Sequence, residues 1–198
     1  MQTLAKNWWL LALCGVLYAV SSFMYFIMLD PDNFLVHPSQ RTLMLLGKLA
    51  LGAGACAIAA GLWGSTTGKC WLLLVNGLAF GALGLLFSGI FGFSIRLVTI
   101  VLLIVVMAMS LGMLEWITAR TLWHRRHVGD GWFFALAGAA SIGFALAFFA
   151  LAFGFIRLEP GIRPSFILFG SYYGFTAISM LALALRLHRP AMVAILVT

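Results

Sequence analysis

Apolar residues occupy long uninterrupted blocks along this chain, and polar residues gather in the short stretches between them. Six blocks stand out, at 8–29, 43–63, 71–91, 97–119, 132–153 and 166–187. A bilayer core about 30 Å thick takes roughly 20 helical residues, and a helix satisfies all its backbone polar groups within one segment. The pattern therefore predicts an all-α polytopic membrane protein with six transmembrane helices. The first block follows Lys6 and carries Ala19-Val20-Ser21, a faint imitation of a signal-peptide cleavage site, but it runs too long for a signal peptide. The apolar tail at 191–197 is too short to span and is expected to rest at the interface or remain irregular.

Composition agrees with this reading. Of 198 residues 64% are hydrophobic and 9% charged, and mean hydropathy is +1.10; a soluble domain carries about 25% charged residues. The net charge of +7 does not indicate nucleic acid, because the 12 Lys and Arg are scattered among apolar runs instead of forming a basic face. They sort by side of the membrane. Lys6, Lys69, Arg120, Arg125, Arg126, Arg186 and Arg189 share the side of the termini, against Arg41, Arg96, Arg157 and Arg163 opposite. Cationic loops favour the cytoplasm, so both termini are expected there, with anionic lipid near Arg120, Arg125 and Arg126. Tryptophans 8, 9, 63, 71, 116, 123 and 132 all fall on the terminal side, as an interfacial aromatic belt would place them. Cys14, Cys56 and Cys70 have no metal or disulfide spacing and read as small apolar residues.

An internal repeat gives the strongest signal. Trp9 precedes Gly15, Trp71 precedes Gly77 and Trp132 precedes Gly138, each by six positions at the start of an odd-numbered span. The spacing divides the single membrane domain into helical hairpins at about 8–64, 70–120 and 131–188. The even-numbered spans carry stripes at i, i+4, i+7, i+11: Lys48, Gly52, Ala55, Ala59; then Ala108, Gly112, Glu115, Ala119; then Gly170, Gly174, Ala177, Leu181. Small residues let helix backbones approach in lipid, so these stripes are expected to face the interior of a pseudo-threefold bundle.

Trp-x5-Gly at each odd span, Ser110-Leu-Gly-Met-Leu-Glu-Trp-Ile-Thr-Ala-Arg120 in the fourth, and Phe169-Gly-Ser-Tyr-Tyr-Gly174 with Leu185-Arg-Leu-His188 in the sixth resemble the HdeD-like acid-resistance membrane proteins. The resemblance covers nearly the whole chain. It implies a bacterial inner-membrane protein of six spans in three hairpins, non-enzymatic, with a part in acid or envelope stress tolerance. Pro31 and Pro160-Gly161 fit the family's turns, whereas the turn around Gly89, Gly92 and Ser94 has no proline.

Candidate chemistry is sparse. Lys48 and Glu115 are the ionisable groups set inside spans, where charge is costly and marks function by default. Their bland readings are snorkelling for Lys48 and a neighbouring cation for Glu115, from Lys69, Arg120 or Arg186. The sharper reading places both on an inner, partly hydrated stripe, with Glu115 exchanging a proton and Lys48 tuning the field. A small proton, ion or solute transporter lined by the even-numbered helices is the alternative function. His124 and His127 are spaced three apart without a further ligand, so no metal is expected, and His37 reads as a solvated loop residue. No nucleophile elbow, His-Glu-x-x-His, phosphate loop or pair of intramembrane acids occurs, so neither catalysis nor a cofactor is expected.

Overall fold

A computed structural model describes residues 8–27, 40–63, 71–88, 97–124, 128–153 and 162–197. They form six helices: α1 (Trp8–Ile27), α2 (Gln40–Trp63), α3 (Trp71–Phe87), α4 (Leu97–His124), α5 (Val128–Ala152) and α6 (Ile162–Val197). No strand occurs among the described residues. Five of the helices are long and apolar enough to cross a membrane, which makes the chain a multi-pass helical membrane protein. The exception is α3, at 17 residues. At 1.5 Å per residue it extends about 26 Å, the lower end of a spanning length. It ends sooner than the apolar block: Ser88 donates its backbone N–H to Gly84 and its hydroxyl to Leu85, at 2.9 and 2.6 Å, closing the last turn.

Two boundaries depart from the sequence reading. The polar run from Trp123 to Asp130 is mostly helix, because α4 continues through His124 and α5 begins at Val128. His127, Arg125 and Arg126 lie outside the described residues, as do His37, Lys69 and Cys70. The tail at 191–197 continues α6 as helix, so of its two expected fates, interfacial or irregular, the irregular one does not hold.

Packing follows where backbone can approach backbone. The closest pairs are α2 with α3, α4 with α5, and α1 with α6; α1 with α2 and α3 with α4 are looser, and α5 with α6 meet only sparsely. At the α2–α3 seam a Cβ on Gly54 would stand 2.7 Å from the Gly81 nitrogen, and one on Gly84 2.6 Å from the Leu51 nitrogen. Only glycine fits there. The three repeat glycines each meet an even-numbered helix: Gly15 against Leu181, Gly77 against Gly54 and Ile58, Gly138 against Gly112. Each repeat glycine thus lies in one of the three closest pairs, and every such pair joins two of the hairpins read from sequence.

Between the pairs, aromatic rings fill the core. Tyr25, Tyr173, Tyr18 and Phe80 stack in series with centroids 5.3, 5.9 and 4.5 Å apart. Where α5 and α6 stand apart, Phe144 and Phe148 bridge to Tyr172 at 5.6 and 5.7 Å. A cleft beside Ser21, Tyr25, Leu46, Ala50 and Tyr173 has a volume of about 10 Å³, room for roughly one water.

Candidate functional site

Among the described residues, Glu115 is the charged one that the core encloses. It lies on the Ala108, Gly112, Glu115, Ala119 stripe of α4, and all four positions are buried. Gly112 and Gly138 let α4 and α5 come close, and the Glu115 Cβ packs beside Gly138. That approach carries the carboxylate to its partners. Ser141 of α5 donates to Oε2 at 2.7 Å, and Ser179 of α6 donates to Oε1. One side chain therefore links three helices, two of which, α5 and α6, pack only sparsely on each other directly. Of the cations proposed to neutralise it, Arg186 is paired elsewhere, with Asp130 at the start of α5. Arg120 is exposed.

The Glu115 and Asp130 carboxylates thus both act at the α5–α6 seam: one deep and hydrogen-bonded, the other half-exposed and ion-paired. Tyr172 lies two turns before Ser179 on the same face of α6. Its hydroxyl is buried with no hydrogen-bond partner among the described residues. Serine hydroxyls both donate and accept, so the contacts around Glu115 suit an ionised carboxylate or a neutral carboxyl after one hydroxyl turns.

A second polar node sits on α4 five positions earlier. Asn76 of α3 donates from Nδ2 to the Met107 carbonyl at 3.0 Å and to Ser110 at 3.3 Å, while the Tyr18 hydroxyl of α1 donates to its Oδ1 at 3.2 Å. Ser110 also donates to Met107 at 2.9 Å. The node ties α1, α3 and α4 together with every amide group engaged.

Lys48 does not join either node. It is exposed on α2, as is Ala55, while Gly52 and Ala59 are half-buried. The stripe expected to face inward therefore turns outward in α2, and the interior face is carried by Gly47, Ala50, Gly54, Ala57 and Gly61. A shift of one residue rotates a helix position by about 100°, enough to exchange the two faces. In α6 the expected stripe does face a neighbour: Gly170 packs on Tyr25 and Phe26, Gly174 on Ser22, and Leu181 on Gly15, with Ala177 buried. Sequence reasoning missed Asn76, Ser141, Ser179 and the Asp130–Arg186 pair. Asn76 had a legible signal, a lone amide in the middle of an apolar block. The serines had none, because hydroxyls are common in membrane helices.

No family of known proteins, no curated protein and no solved structure matches the chain. Among the described residues no group of three or more His, Cys, Asp or Glu could hold a metal.

Proposed function

We propose that this is a non-enzymatic bacterial inner-membrane protein of the HdeD-like type, with cytoplasmic termini and a threefold hairpin repeat, that contributes to acid or envelope stress tolerance through a proton-responsive α5–α6 seam. The observation that carries the reading is the position of Glu115: a carboxylate buried among apolar helices, held by two hydroxyls and by no cation among the described residues. Proton uptake converts its charge-assisted hydrogen bonds into neutral ones and forces a serine to reorient. The groups facing Glu115 are Ser141 from α5 and Ser179 from α6, with the Tyr172 phenol farther along α6. The Asp130–Arg186 pair joins α5 to α6 at the end of the same seam.

The competing reading, a proton or ion pathway lined by α2, α4 and α6, requires Lys48 and Glu115 on a shared interior. Lys48 lies on the outer surface of α2 instead.

Glu115→Gln keeps the size and the two hydroxyl partners and removes the titration. Cells carrying it at wild-type abundance are expected to lose the protein's benefit at low pH while growing normally at neutral pH. Unchanged acid survival would overturn the role of Glu115. Proton flux into proteoliposomes that Glu115→Gln abolishes would favour the transport reading.

A further inference from the structure

Three tryptophans meet where α4 ends and α5 begins. The Trp123 ring stands edge-on to Trp116 at 6.3 Å and to Trp132 at 5.5 Å between centroids. Gly131 makes room for it, since a Cβ there would run into the Trp123 indole. Two helices therefore fix the cluster, while Trp116 and Trp132 stay 50% and 58% exposed. Arg120 is exposed on the same face of α4, four positions after Trp116 and three before Trp123. Both Trp116 and Arg120 fall within the span that ends at His124, so this face meets lipid, with Arg120 about 6 Å from the span's end. The charge at this end does not depend on which side chains pair. Of the five acidic residues, Asp130 is engaged with Arg186 and Glu115 is buried on two serines. Asp30, Asp32 and Glu159 belong to the segments that join α1 to α2 and α5 to α6, at the other end of the bundle. Against them stand seven Lys and Arg on the side of the termini, so a positive excess remains however the pairs form.

We propose that Arg120 and the three tryptophans form a headgroup site for one anionic phospholipid at the end of the bundle that holds the chain termini, an acyl chain passing Trp116 toward Met113. Charge complementarity selects the occupant, because a zwitterionic headgroup brings its own cation and leaves the positive excess in place. The guanidinium takes two phosphate oxygens in its planar fork. Indole N–H groups donate and do not accept, which suits the remaining phosphate and ester oxygens, and the rings favour the headgroup level. One turn deeper on α4, Met113 is 46% exposed and offers an apolar surface to the chain below the headgroup. Charge by itself draws anionic lipid to the whole of this end; the wedged indoles fix where one headgroup rests.

Native mass spectrometry of the full chain, released from nanodiscs of equal phosphatidylglycerol and phosphatidylcholine, tests the site. The wild type is expected to retain phosphatidylglycerol in preference to phosphatidylcholine. Arg120→Gln should lower that retention about five-fold, the contribution of one cation near a membrane surface. Trp116→Phe keeps a ring and removes the N–H, and should lower it about three-fold, the loss of one hydrogen bond. Arg41→Gln, at the other end, should leave it unchanged. Equal retention of the two lipids by wild type would overturn the proposal, as would retention that neither Arg120→Gln nor Trp116→Phe moves. So would a loss in Arg41→Gln matching that in Arg120→Gln, because retention would then follow overall charge, or a dimer that Trp116→Phe dissolves, because a second copy would then occupy the face. Should Arg120→Gln fail to fold, quenching of wild-type tryptophan emission by brominated lipid decides, with equal quenching by the phosphatidylglycerol and phosphatidylcholine forms counting against the site.

Discussion

At Gly54 and Gly81, one seam asks opposite things of neighbouring glycines. A methyl on Gly54 runs into the α3 backbone, whereas one on Gly81 meets nothing within 4 Å. Gly54→Ala should therefore destabilise the fold by about 1–3 kcal/mol, the usual cost of overpacking. Gly81→Ala should be neutral or stabilising by about 0.5–1 kcal/mol, because alanine is the better helix former. Reversible unfolding in mixed micelles would separate them, and equal costs would contradict the close approach. The sequence marks both residues only as small. Glu115 was legible because a carboxylate within an apolar block must face protein, and its stripe in α4 is indeed buried. Lys48 misled because α2 carries small residues on two adjacent faces, and nothing along the chain states which one meets α3.

At the level of elements, α4 is the helix to which both polar nodes belong. Asn76 reaches it from α3, with Tyr18 of α1 bonded to Asn76, and Ser141 and Ser179 reach it from α5 and α6. Interhelical polar contacts in membranes contribute about 0.6 kcal/mol on average and up to about 1.7. Asn76→Ala removes several at once and leaves the Tyr18 hydroxyl without its acceptor. A loss near the upper end of that range, about 1–2 kcal/mol, is expected in unfolding measurements, and Tyr18→Phe should recover part of it in the double variant. Additive losses would show that the two side chains act separately. The spans themselves were legible, since hydropathy alone sets where a chain can enter a bilayer. Their ends were not, and α4 and α5 nearly meet because helix continues through Trp123 and His124 despite the polar surroundings.

For the whole molecule, the bundle closes where α6 packs on α1, while the consecutive helices α5 and α6 touch each other only sparsely. Besides the Glu115 bridge between Ser141 and Ser179, two kinds of interaction hold that contact. Phe148, fully buried, wedges against Tyr172 and Phe169 at 5.7 and 5.3 Å, and the Asp130–Arg186 pair lies half-exposed at one end. Phe148→Ala should cost about 3–5 kcal/mol, the loss of a large buried ring. Asp130→Asn should cost about 1 kcal/mol or less, as solvent screens the pair. Steric trapping of α5 and α6 in bicelles would rank the two, and a larger effect from Asp130 would place the seam's strength in charge instead of packing.

The sequence by itself determined that the chain is helical and membrane-spanning, where its apolar blocks lie, and that glycine recurs six positions after tryptophan in three of them. Those properties depend on local composition and on the energy of placing backbone in lipid, which each segment settles alone. The tertiary structure decided which face of each helix is inside, that the repeat glycines join α1 to α6, α2 to α3 and α4 to α5, and that Glu115 is answered by serines 26 and 64 positions away. A helix in lipid gains no hydrophobic energy by turning one apolar face inward over another. The choice falls to close packing and polar contacts, which exist only once the helices have met.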